Sequence, residues 1–242
     1  MTQQAYRTFS AVSEDGWSVA ASSGSVSNFD VVPDPTAPRS PSGVGRIKFP
    51  QGFVAGGEPV VVYKSLNQTS KRYWSFYFKL SSVWEGQSAS GCKIHHLYVN
   101  GLNRLIIHAL GSGLTDPIIP VMEFQQLAAN YDAASQGGLG TGNTGAMLPN
   151  QPGQTGVQLV RGQWYLMEGY VEAGTPGNAD GVVKWWINGV LVGSYTKVPF
   201  VAAGGSATWE DWNWAPTWGG LGGTVGQTQY QYIDELYVSG SN

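Results

Sequence analysis

The sequence predicts an all-β chain, two antiparallel sheets packed as a jelly-roll sandwich, and three observations carry that prediction. Glycine supplies 34 of 242 residues, 34/242 ≈ 14%, about twice the usual ~7%, so turns are frequent. Charged residues make up 12% against a norm of roughly 25%, and no stretch sets Glu, Lys and Arg on one face at a 3.6-residue period as a surface helix requires. Short apolar runs instead alternate with period two between Gly, Pro and Asn turn signals.

In chain order, residues 1–44 form an extended segment with one strand signal around Trp17 to Ala21. Its prolines from Pro33 to Pro41 cannot donate to a ladder, so this part is a surface or edge segment. Strands follow at Gly45 to Phe49 and Val60 to Lys64. Arg72 to Leu80 alternates Trp74, Phe76, Phe78 and Leu80 with Tyr73, Ser75, Tyr77 and Lys79, an oily face backed by an aromatic-polar one. Lys93 to Val99 and Arg104 to Ala109 form a hairpin through Asn100-Gly-Leu-Asn. Residues 132–156 hold almost no large apolar side chain and read as a Gly-rich loop or arm. Strands resume at Gln163 to Glu172, Val182 to Ile187 and, across Asn188-Gly, Val190 to Tyr195. Trp209 to Trp218 reads as a tryptophan-rich loop, and Tyr230 to Val238 as a closing strand. Strand signals reach both ends with no linker between, which predicts one domain over 1–242.

A net charge of -3 offers no basic field for a phosphate backbone, so nucleic acid is excluded as a partner. The sequence shows neither a secretory signal at Met1 to Val12 nor an apolar run long enough to span a membrane. The lone Cys92 cannot form an internal disulfide and reads as a buried, inert thiol.

The segments Gly162 to Val171, Asp180 to Gly189 and Tyr232 to Ser239 resemble the second half of concanavalin A-like lectin and glucanase sandwiches, including the heparin-lyase-like and alginate-lyase-like polysaccharide lyases. Tyr73 to Leu80 and Lys93 to Tyr98 are similar to their central strands. The resemblance spans about residues 40 to 242 and implies the sandwich fold. It covers lectins, glycan-cleaving enzymes and non-enzymatic surface domains alike, so the activity rests on the site. Alginate lyases of this fold show an Arg-rich strand, a Gln-x-His strand and a late Tyr-bearing strand. Lys93-Ile-His95 stands where Gln-Ile-His is expected, Arg72 is alone on its strand, and Tyr230 and Tyr232 lack the Lys and Gln neighbours.

Candidate sites follow from chemistry. β-Elimination from a uronate needs a cation or amide at the carboxylate, a base at C5 and an acid at the leaving oxygen. His96, Tyr98 and Arg104 supply such groups, and strict alternation puts His96 and Tyr98 on one face with Lys93 and His95 on the other. Glu168 and Glu172 are the only acids spaced like a hydrolase pair, but without the motif of that class. For glycan binding, Tyr73, Tyr77, Lys79, Tyr170, Trp186 and Tyr232 are expected on one solvent-facing sheet face, because pyranose rings stack on aromatic rings. No cofactor is required, although Asp180 and Asp234 would suit a structural calcium.

Weighed together, these features predict a non-enzymatic sandwich displayed on a particle, such as a phage virion decoration or adhesion protein. Its expected partners are glycans or capsid proteins in an oligomer or assembly, at the virion surface or outside the cell after lysis. The alternative is a polysaccharide lyase acting on a uronate polymer.

Overall fold

The computed structural model describes the chain except residues 88–90, 133–140, 143–145, 150–156 and 221, and gives only the backbone of 103, 104, 141, 142 and 146–149. Two antiparallel sheets dominate. The first runs β15 (Val190–Val198), β14 (Gly181–Ile187), β13 (Tyr165–Glu172), β6 (Lys71–Leu80), β17 (Gln229–Ser241), β4 (Val44–Phe49) and β3 (Phe29–Val32). Beside the second half of β17 lies β1 (Thr2–Arg7). The second sheet runs β12 (Ala146–Pro149), β9 (Ile119–Phe124), β8 (Leu102–Leu110), β7 (Cys92–Val99), β16 (Trp209–Trp214), β5 (Val61–Thr69) and β2 (Ser18–Ala20). A two-strand ribbon joins β10 (Tyr131–Asp132) to β11 (Thr141–Gly142).

The alternation of β6 decides the interior. Trp74, Phe76, Phe78 and Leu80 are buried, and Phe76 meets Trp212 of the facing sheet edge-on, ring centroids 5.6 Å apart. Room for Trp74 is made by Gly169 on the paired strand, where an added Cβ would fall 2.1 Å from the indole. Both Asn-Gly signals are tight hairpin turns: Asn100-Gly101 and Asn188-Gly189 all have φ between 51° and 75°, the left-handed conformation that such a turn demands.

Two expectations are corrected, and a third falls largely outside the described residues. The segment at Trp209 to Trp214 is strand β16, not a loop, and sits in the middle of the second sheet. A register shift after Trp209 breaks its alternation and hides it from a period-two reading. Trp209, Trp212, Trp214 and Trp218 are all buried, so they form core and not an exposed patch. The N-terminal 44 residues contribute three strands, of which one was expected. The Gly-rich arm expected at 132–156 lies largely outside the described residues; within it, Ala146–Pro149 forms the edge strand β12, paired with β9.

The proline-rich segment after β3 lies against the outward face of the first sheet. The carboxylate of Asp34 contacts Lys79, and Asp234 accepts the backbone N–H groups of Arg39 and Ser40 at 2.8 and 3.2 Å. Between the sheets, the buried Arg72 guanidinium donates to the carbonyls of Glu210, Trp209 and Asn67 at 2.7 to 2.9 Å.

Candidate active site

All three histidines lie on the β7–β8 hairpin, yet they do not share an environment. Cys92 faces the interior, where Gln231 of the first sheet reaches its sulfur at 3.3 Å. Simple alternation from there would turn Lys93 and His95 outward together. A bulge between Lys93 and His95 interrupts it. Ile94 and His95 both enter the core, where His95 packs 4.5 Å from Trp74 and 5.1 Å from Trp212. The outward face therefore carries Lys93, His96 and Tyr98. Expectation and structure agree on His95 and on His96 with Tyr98, and differ on Lys93, which joins the His96 face.

Neighbouring strands complete this face. Asn213 of β16 pairs directly with His96 and, on its other side, with Tyr63 of β5. His96 also pairs with Ile106 of β8, which pairs with Glu123 of β9. Lys93 pairs with His108, whose Nε2 contacts the Glu123 carboxylate. Gln125 donates to the same carboxylate at 2.6 Å. His96 and Tyr98, two residues apart on one strand, have backbone positions separated by roughly 7 Å.

Electrostatics poise the two groups oppositely. Burial first, then the nearby charge of Lys93, pushes the His96 imidazole well below its usual value, so it is neutral at neutral pH. Burial also raises the Tyr98 phenol, which a hydrogen bond from Asn213 partly counters, so Tyr98 keeps its proton. Burial would raise Glu123, but its hydrogen bond and charge contact with His108, together with the Gln125 amide, hold it below the usual carboxylate range. The buried Oδ1 of Asn213 has no hydrogen-bond partner among the described residues; a donor on a bound ligand would satisfy it.

Arg104 sits on β8, and its side chain lies outside the described residues. The lyase-like positions elsewhere are not brought here. Arg72 is spent between the sheets on backbone carbonyls, and Tyr230 and Tyr232 lie on β17 of the other sheet. The strand beside the histidines is β16. Nothing in its sequence marks Asn213, Lys93's role or the His108–Glu123 contact; only strand order assembles them.

The expected glycan face is present as a surface. Tyr73 pairs with Tyr170, Lys79 with Tyr232, and Trp186 with Glu168, all turned outward on the first sheet. Much of it is tied down, since Tyr73 donates to Glu168 at 2.6 Å and Lys79 contacts Asp34. Glu168 and Glu172 are thus partners of tyrosines. Asp180 accepts the N–H of Thr175 at 2.7 Å, at the Glu172 end of β13, whereas Asp234 pairs with Tyr77. Six residues of β6 separate Lys71, beside Glu172, from Tyr77, roughly 20 Å. The two aspartates do not form a calcium site together, and among the described residues no group of three or more His, Cys, Asp or Glu is arranged to hold a metal.

Neither a family model nor a curated protein sequence matches this chain. Solved structures do. A double mutant of the alginate lyase Aly36B, in complex with alginate trisaccharide, superposes with a TM-score of 0.65 at 14% identity, over 99% of both chains. The PL-14 alginate lyase of Aplysia kurodai gives 0.60 at 13%, over 92% of this chain and 90% of that one. The endo-β-1,4-glucuronan lyase of the fungus Trichoderma reesei gives 0.56 at 14%, over 98% and 90%. The chain has the concanavalin A-like jelly-roll fold. Such identities carry the fold alone. Yet these three neighbours, which share the sandwich nearly end to end, are named as alginate or glucuronan lyases. The expectation of a non-enzymatic virion decoration is corrected on that ground.

Proposed function

We propose that the protein is a polysaccharide lyase that cleaves a uronate-containing polymer by β-elimination on the outward face of the second sheet. The observation that carries this reading is the bulge in β7, which sets Lys93, His96 and Tyr98 on one face beside Asn213. The fold neighbours named as alginate and glucuronan lyases support it.

In the step we assign, the Lys93 ammonium and an Nδ2–H of the Asn213 amide donate to the uronate carboxylate and stabilise the charge that builds there as C5 is deprotonated. Neutral His96 takes the C5 proton. The C4–C5 double bond forms as the C4–O bond breaks, and the Tyr98 phenol gives its proton to the leaving oxygen. The new end is an unsaturated uronate; His96 returns its proton to Tyr98 through solvent, and the enzyme is regenerated. His108 and Glu123 lie beside Lys93 and His96 on the same face, in contact with each other.

The test is incubation with alginate, glucuronan and heparin, followed by ultraviolet absorbance of unsaturated ends. Absorbance growing on one of these polymers is the expected result; no growth on any of them removes the reading.

A further inference from the structure

The outward face of the first sheet contains a cavity of about 400 Å³, lined by Asp34, Thr36, Lys79, Tyr230, Tyr232 and the turn around Ser81. Its volume falls within the roughly 300–1,000 Å³ usual for small-molecule sites. It belongs to the sheet opposite His96, and the proposed elimination uses none of its residues.

The walls are preformed. The Asp34 carboxylate accepts from the backbone and hydroxyl of Thr36 at 2.9 and 2.6 Å and contacts the Lys79 ammonium. The Trp164 indole donates to the Thr36 hydroxyl at 3.1 Å and packs edge-on against Tyr232 at 6.4 Å. Lys79 lies over both rings, 4.6 Å from Trp164 and 4.8 Å from Tyr232. Tyr230 stands 6.0 Å from Tyr232, with Arg46 at 4.7 Å from its ring. The three aromatic rings are half-buried, and so retain exposed surface beside the hydroxyls.

The charges decide what such a pocket takes. Lys79 is paired with Asp34 and Arg46 with Asp30, so both cations that lie over the pocket's rings are already compensated. What remains is aromatic surface bordered by hydroxyls and a charge pair able to give and accept hydrogen bonds. That combination fits a molecule with an apolar CH face and a rim of equatorial hydroxyls. We propose that this cavity is a second, non-catalytic glycan site that takes a neutral, equatorially substituted pyranose, as in a β-1,4-linked glucan.

The experiment is a titration of the ¹⁵N-labelled full chain with cellohexaose at low and high salt, following the Trp164 indole N–H resonance. The expected result is a saturable shift of that resonance with an affinity insensitive to salt, weakened roughly tenfold or more in Tyr232→Ala and Tyr230→Ala. Should either tyrosine variant lose its fold, the wild-type Trp164 shift and its salt dependence still decide. The proposal is overturned by an unmoved Trp164 resonance, by folded tyrosine variants that bind as tightly as wild type, or by affinity that collapses in salt. Binding that persists in His96→Ala separates this site from the elimination face. A chain that cleaves no polymer but keeps the Trp164 shift refutes the lyase reading and leaves this one standing.

Discussion

His95 and His96 are consecutive residues that face opposite sides of one sheet. His95 is buried against Trp74, Phe76 and Trp212 between the sheets, while His96 lies on the outward face beside Asn213. The first belongs to the stability of the protein and the second to its proposed chemistry, so their substitutions should have separable effects.

Burial lowers the His95 imidazole to about 3. In the unfolded chain the same group takes a proton below about 6.5, so the unfolded state binds more protons throughout that window. Stability is therefore full above pH 6.5 and is lost as the pH falls toward 3, by on the order of 4–5 kcal/mol from this group. Thermal melts across this range should show the loss, and His95→Phe should flatten the slope without abolishing it, because His96 is also held neutral by burial. Identical slopes in the two proteins would refute the assignment.

For the proposed elimination, His96→Ala and Tyr98→Phe should each lower turnover by roughly 100- to 10,000-fold, and Tyr98→Phe should do so with little change in melting temperature. The depressed His96 places the acid limb of the rate profile below pH 6.5, and the raised Tyr98 places the alkaline limb above pH 10. A pH–rate profile on the polymer that is cleaved measures both limbs.

Asn213 offers a sharper comparison. An amide stabilises a uronate carboxylate, whereas a carboxylate at the same place repels it. Asn213→Asp should therefore raise KM and lower kcat more than Asn213→Ala does. Equal losses in steady-state kinetics would leave Asn213 a purely structural role.

Arg72 donates to the carbonyls of Asn67 on β5 and of Trp209 and Glu210 on β16. Arg72→Met keeps the stem but strands these buried acceptors, at a cost of roughly 1–3 kcal/mol for each one left unpaired. A fall of at least about 6 °C in melting temperature is expected for a chain of this size. An unchanged melt would show that water replaces the guanidinium.

The alternation of Tyr73 to Leu80 and the Asn188-Gly turn were legible because each is a local pattern: side-chain direction follows from period two, and the turn from two residues that tolerate positive φ. The face shared by Tyr73, Tyr170, Trp186 and Tyr232 followed by the same rule. Lys93 was misplaced because a bulge adds one residue and reverses every later side chain, and Ile94-His95 carries no mark of it. The run Trp209 to Trp214 was misread for the same reason.

The sequence by itself determined an all-β sandwich with its principal hairpins, since these arise from composition and from contacts a few residues apart. Only the tertiary structure decided that β16 lies between β5 and β7, and so that Asn213 stands beside His96. That adjacency joins residues more than a hundred positions apart, and its cause is the shared burial of Trp212 and Trp214 against the first sheet, which no local period records.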